Sequence, residues 1–164
     1  MPKRLLILRH AKSSWADESL DDWQRPLNER GERDAPRVGA LLRRLQLVPD
    51  LIVTSDAVRA ETTARAAAAA AGYAGTIVLS PALYHATPGA IVEVIGAVSD
   101  ATARTLMIVG HNPGLEDLAG RLIGQSIDLP TATLVHLELR VSEWSDVDLS
   151  QGADLIDVWR PRDL

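Results

Sequence analysis

Short aliphatic runs punctuate the chain at residues 4–8, 50–53, 76–79 and 105–109, each too short for a helix. Each is followed by polar or Gly/Pro residues and then by a helical pattern, the signature of βα repetition. Their apolarity is continuous rather than alternating, which predicts strands covered on both faces, as in a parallel sheet with helices on either side.

The segments between them read as helices. Asn28 is the candidate N-cap of the first, with Ala35, Val38, Leu41, Leu42 and Leu45 as its apolar stripe and Pro36 as either a kink or the true start. Residues 56–71 predict a second helix, capped by Ser55 or Asp56 and stopped by Gly72; its alanine run 66–71 is good helix and close-packing material. Residues 88–98 and 113–123 each open with Pro near the first turn. Further on, residues 133–139 alternate so that Val135, Leu137 and Leu139 share a face, and 153–159 is another strand-like run. The sum is an α/β fold: a three-layer α/β/α sandwich on a mostly parallel sheet of about six strands, with a strand running antiparallel at an edge. The loop 140–152 is too short for a linker, so residues 1–164 are expected to form one domain.

Composition narrows the functional classes. A chain of 164 residues, 24% charged, has the make-up of an ordinary globular protein, and the absence of Cys excludes thiol catalysis and Cys-ligated zinc. A net charge of −5 argues against nucleic acid and anionic lipid as partners, so an anionic ligand must be caught locally. No apolar run is long enough to span a bilayer and no cleavable leader is evident, which gives a cytoplasmic expectation and no membrane. Arginines 30, 33, 37, 43 and 44 read as a solvated helix face.

In an open α/β sheet ligands gather beyond the carboxyl ends of the strands. Arg9-His10-Ala11-Lys12-Ser13-Ser14-Trp15 follows the first strand, Ser55-Asp56 with Arg59 the second, Tyr84-His85 the third and Gly110-His111-Asn112 the fourth. Two histidines and two arginines, far apart in sequence, therefore converge on one rim. Arginine offers a planar fork of donors to phosphate oxygens, imidazole a nucleophilic nitrogen or a proton, and helix N-termini add backbone donors. A site of this make-up holds a phosphoryl group.

At these residues the chain resembles the histidine phosphatase (phosphoglycerate-mutase-like) superfamily, over nearly its whole length. The strand followed by Arg-His-Gly is matched by Leu8-Arg9-His10-Ala11, the Ser-x-x-x-Arg-Ala-x-x-Thr-Ala element by residues 55–64, and Gly-His-Asn by 110–112. Arg9–Trp15 together with residues 25–31 in so short a chain look most like the small phosphohistidine phosphatases of the SixA type. The arginine-rich cation usage fits a high-GC bacterium. The resemblance implies that His10 attacks phosphorus and becomes phosphohistidine, that Arg9, Arg59 and His111 cradle the phosphoryl oxygens, and that no metal or other cofactor takes part. The substrate it implies is a phosphohistidine-bearing protein or a small phosphate ester. Lys12, Ser13, Arg25 and His85 are further candidates for phosphate or substrate contact, Lys12 and Arg25 as outer cations or as surface salt bridges to the acids of the loop, His85 as a contact or as rim packing. The second ring nitrogen of His10 is expected to be held by a backbone carbonyl, so that the free one faces the substrate.

Three departures stand out. Ala11 replaces the family's usual Gly; Ala16, with Asp17 next, stands where sugar-phosphate members carry Asn; and Leu83-Tyr84-His85-Ala86 lacks the family's catalytic Glu. His85, Asp17, Asp21 and Glu116 are the candidate replacements for that acid. A phosphohistidine substrate lessens the need for one, because a protonated imidazole leaves readily. The connections leave no room for a large cap insertion, so the pocket is expected to be shallow and open to a displayed side chain. The rival readings are a small-molecule phosphomonoesterase, a phosphate-binding module without catalysis, and a metallohydrolase using His10, His85 and His111. Away from the site, His136 is expected to face solvent, Trp15 and Trp23 to pack against the loop between them, and Trp144 and Trp159 to be core or edge cover.

Overall fold

The computed structural model describes residues 2–99 and 102–164. The apolar runs form β1 (Lys3–Arg9), β2 (Leu51–Thr54), β3 (Ile77–Leu79), β4 (Thr105–Gly110), β5 (Leu134–Leu139) and β6 (Ala153–Trp159). Four helices alternate with them: α1 (Glu29–Arg44), α2 (Val58–Ala71), α3 (Pro88–Gly96) and α4 (Gly114–Ile123). The sheet order is β3-β2-β4-β1-β5-β6. β1, β4, β2 and β3 pair parallel, while β5 runs antiparallel to both β1 and β6. The reversed strand is thus one in from the edge, not at it.

Alternation along β1 builds the three layers. Leu5 and Ile7 join a core with Ile91 and Ile95 of α3 and Leu115, Leu118 and Leu122 of α4. Leu6 and Leu8 point the other way, into a core with Val38, Leu41 and Leu42 of α1 and Ala60, Ala64 and Ala67 of α2. The alanines let α1 and α2 approach closely: a Cβ on Gly39 would stand 2.1 Å from the Ala67 carbonyl oxygen. Only glycine fits that crossing.

Several local expectations are corrected. Helix α1 starts at Glu29 behind its Asn28 cap, with Pro36 inside it, and Leu45 lies exposed beyond its end. Helix α2 starts later than residue 56, with Ala57 as N-cap. The Ser55 hydroxyl accepts the Ala57 N–H and the Asp56 carboxylate accepts the Trp23 indole N–H, so both side chains are engaged elsewhere. Val78 and Leu79 of β3, at the edge of the sheet, are 42% exposed. His136 is buried rather than solvated, since β5 lies between β1 and β6, and its Nε2 has no hydrogen-bond partner. Trp15 is 71% exposed yet lies over the Arg25 guanidinium, and the exposed Trp23 donates to Asp56, so both hold the loop from its surface rather than from the core. Trp144 is core, as expected, donating to the Ala103 carbonyl.

Candidate active site

Strand register brings the two site histidines together. Arg9 of β1 pairs with Gly110 of β4, and the next residue on each strand is a histidine. Neighbouring parallel strands lie about 4.8 Å apart, and the His10 and His111 rings sit with centroids 5.1 Å apart. On the far side of β4, Ser55 follows β2 and meets Nε2 of His111 at 2.8 Å. Helix α2 then carries Arg59 inward.

The His10 ring has one geometry open to it. Nδ1 lies 2.7 Å from the Ala11 carbonyl oxygen, which can only accept, so Nδ1 carries the proton and Nε2 keeps its lone pair. The loop is held from α2 as well, by the Ala11 N–H donating to Thr63 Oγ1 at 3.0 Å. Burial brings the His10 pKa down to about 4; the Ala11 carbonyl opposes this and Arg59, Arg9 and Arg25 add to it. His111 falls to about 3 through burial and then His10, Arg59 and His85. Both rings are neutral at physiological pH.

Three arginines surround them. Arg9 donates through Nη1 to the Leu129 carbonyl at 2.9 Å and leaves Nε buried without a partner. Arg59 donates to the Asp22 backbone carbonyl at 2.6 Å and to its carboxylate at 2.8 Å. Arg25, expected as an outer cation or a surface salt bridge, is buried: it reaches Ser13 Oγ at 2.5 Å and Asp22 Oδ1 at 2.9 Å, under the Trp15 ring. Together with Lys12, Ser13, Trp15, His85, His111, Asn112 and Thr131 these side chains line an open cleft of about 320 Å³. All eight residues named from the sequence therefore border one cleft. Lys12 stands at its exposed edge, and His85 does so at a positive φ of 53°.

The acid candidates separate. Glu116 Oε1 accepts the Leu129 N–H, which fixes the loop that holds Arg9. Asp17 accepts from Ser19 and lies outside the cleft, as does the exposed cap Asp21. His85 alone of the four reaches the cleft.

The residue that the sequence reading passed over is Asp22. It is bonded at once to Arg25, Arg59 and the Tyr84 hydroxyl. Its three-residue spacing from Arg25 was the available signal. Partial burial raises its carboxyl pKa, but hydrogen bonds from Tyr84, Arg59 and Arg25 outweigh this and hold it far below the usual range.

With this geometry the chain belongs to the histidine phosphatase superfamily, whose branch 1 model matches residues 5–94. A chloroplastic protein of Arabidopsis thaliana, itself uncharacterized, is 37% identical over 158 residues, spanning 92% of this chain and 72% of its own. Among solved structures, a protein from Agrobacterium tumefaciens assigned to the phosphohistidine phosphatase SixA superposes with a TM-score of 0.83 at 30% identity, covering 98% of this chain and 99% of that one. The protein histidine phosphatase SixA complexed with tungstate shares the fold, with a TM-score of 0.82 at 16% identity over 98% of each chain. A mycobacterial glucosyl-3-phosphoglycerate phosphatase shares it less closely, with a TM-score of 0.68 at 18% identity, covering 97% of this chain and 99% of its own.

Proposed function

We propose that the chain is a metal-independent phosphatase that works through phospho-His10, with protein phosphohistidine as its substrate. The observation that carries this reading is His10 itself: neutral, fixed in one tautomer, and with Nε2 free in a cleft walled by Arg9, Arg25 and Arg59.

The Nε2 lone pair forms the N–P bond as the bond to the leaving group breaks. Charge spreads over the three equatorial oxygens, where fixed donors lower the barrier. Arg9 Nε is a buried donor without a partner, and His111 Nδ1 is a buried ring nitrogen without one. Ser55 Oγ already accepts the Ala57 N–H and can give its own proton to His111 Nε2, which leaves Nδ1–H to donate to an oxygen. Water then attacks phosphorus, the N–P bond breaks, and the electron pair returns to Nε2.

Two features favour phosphohistidine over a sugar phosphate. The cleft is open, and no helical layer crosses it among the described residues. Among the described residues no carboxylic acid is poised to protonate a leaving group: Asp17 and Asp21 lie outside the cleft, Glu116 is bonded to the Leu129 N–H, and Asp22 is held ionised. An alkoxide leaving group needs a positioned acid; a ring-protonated phosphoramidate does not.

The test is turnover, in chelator, of a phosphohistidine peptide, an aryl phosphate and a sugar phosphate by wild type and His10→Ala. Preference for the peptide, lost in the variant, is expected. Preference for the sugar phosphate would overturn the substrate assignment, and dependence on added divalent ion would overturn metal independence.

A further inference from the structure

We propose that Asp22 is a specificity-determining residue: its carboxylate, clamped between Arg25, Arg59 and Tyr84 beside the cleft, favours a phosphoryl donor whose leaving group is a protonated imidazole. This rests on the phosphohistidine reading above.

Asp22 opens the short 3-10 turn Asp22–Gln24 and reaches across to three other segments. Oδ1 accepts from Arg25 at 2.9 Å, while Oδ2 accepts from Arg59 at 2.8 Å and from the Tyr84 hydroxyl at 2.6 Å. His85 Nε2 lies 3.7 Å from the same Oδ2, and His85 is a wall of the cleft. Among the described residues the side chains bonded or close to the carboxylate are donors or cations: Arg25 from its own loop, Arg59 from α2, and Tyr84 and His85 from the segment after β3. His111 feels its charge too, in the direction of a raised pKa. The carboxylate is nevertheless 40% exposed, so it is neither a buried strut nor a loose surface acid.

Such a group does two things. It fixes two arginine side chains that line the cleft, and it places a negative charge next to a site built for anions. That charge opposes a doubly charged phosphate ester. It attracts a phosphohistidine whose ring carries a proton, because an opposite charge within about 4–6 Å raises the pKa of a cation by roughly 1–3 units. The chemistry balances without a protein acid. His10 Nε2 forms its bond to phosphorus, the substrate N–P bond breaks with its electron pair going to that ring nitrogen, and the proton already on the other nitrogen leaves the departing imidazole neutral. Asp22 does not give a proton; it keeps one on the substrate.

The experiment compares wild type, Asp22→Asn and Asp22→Glu on a phosphohistidine peptide and on an aryl phosphate, whose leaving group needs no proton. In Asp22→Asn, kcat/KM is expected to fall at least about tenfold further on the peptide than on the aryl ester, one pKa unit being a factor of ten in proton occupancy. The alkaline limb of the peptide's pH profile is expected to move to lower pH by about one unit or more. Asp22→Glu, which keeps the charge, should recover part of the peptide activity. Equal losses on both substrates with an unmoved profile would overturn the inference and reduce Asp22 to a holder of arginines. Wild type inactive on the peptide but active on the aryl ester would instead overturn the phosphohistidine reading.

Discussion

Replacing His10 by Ala removes the unprotonated ring nitrogen that borders the cleft, and turnover is expected to vanish. Arg59→Ala removes a phosphoryl donor and leaves Asp22 uncompensated; steady-state assays should show a loss of at least about a hundredfold, the scale of a missing transition-state donor. Near-normal rates in either variant would contradict the roles assigned. The pH dependence follows from burial. Because His10 is held near 4 rather than at 6.5, nucleophilic competence should persist well into acid. The kcat/KM profile on an aryl phosphate, corrected for ionisation of the phosphate, is expected to show no loss from His10 until the pH approaches 4. A limb at 6.5 would mean that the ring titrates like an exposed imidazole.

At the scale of elements, α1 meets the site loop through a contact that glycine alone permits. A Cβ on Gly31, in the first turns of α1, would stand 2.1 Å from the Lys12 carbonyl oxygen, and that carbonyl also accepts the Asn28 N–H. Helix α1 thereby clamps the loop that carries the nucleophile. Gly31→Ala is expected to lower the Tm by several degrees, the scale of an overpacked contact, and to reduce kcat by displacing Lys12 and Ser13. Gly89→Ala, at the start of α3, has no atom closer than 4.0 Å to meet and should change the Tm little; calorimetry on the pair checks both. At this scale the sequence was most legible. Apolar runs marked every strand, and the residues one step past β1 and β4 were readable as rim because β-strand period and parallel register place them there. Cap positions were less so: Ser55 and Asp56 looked like caps, yet each serves a partner distant in sequence.

For the whole molecule, buried histidines make stability depend on pH. His10, His111 and His136 all have pKa values lowered by burial. The unfolded chain therefore binds more protons than the folded one below the ordinary value of 6.5, and stability must fall as pH drops from there toward 4. Tm measured from pH 7 to pH 4 should decline, and His136→Gln, remote from the cleft, should reduce the decline. A flat profile would contradict the assigned burial. What the sequence could not show belongs to this scale. Arg25 and Asp22 lie in a loop that reads as surface, and only the meeting of that loop with α2 and the segment after β3 buries one and multiply bonds the other. His136 looked solvent-facing because nothing local says that β6 flanks β5. The central claim is covalent catalysis at His10. It is tested most directly by quenching the enzyme in alkali during turnover of a phosphohistidine peptide and locating the phosphoryl group by mass spectrometry. An acid-labile phosphate on His10, absent from His10→Ala, is the predicted result; steady turnover with no phosphate on His10 would contradict the account.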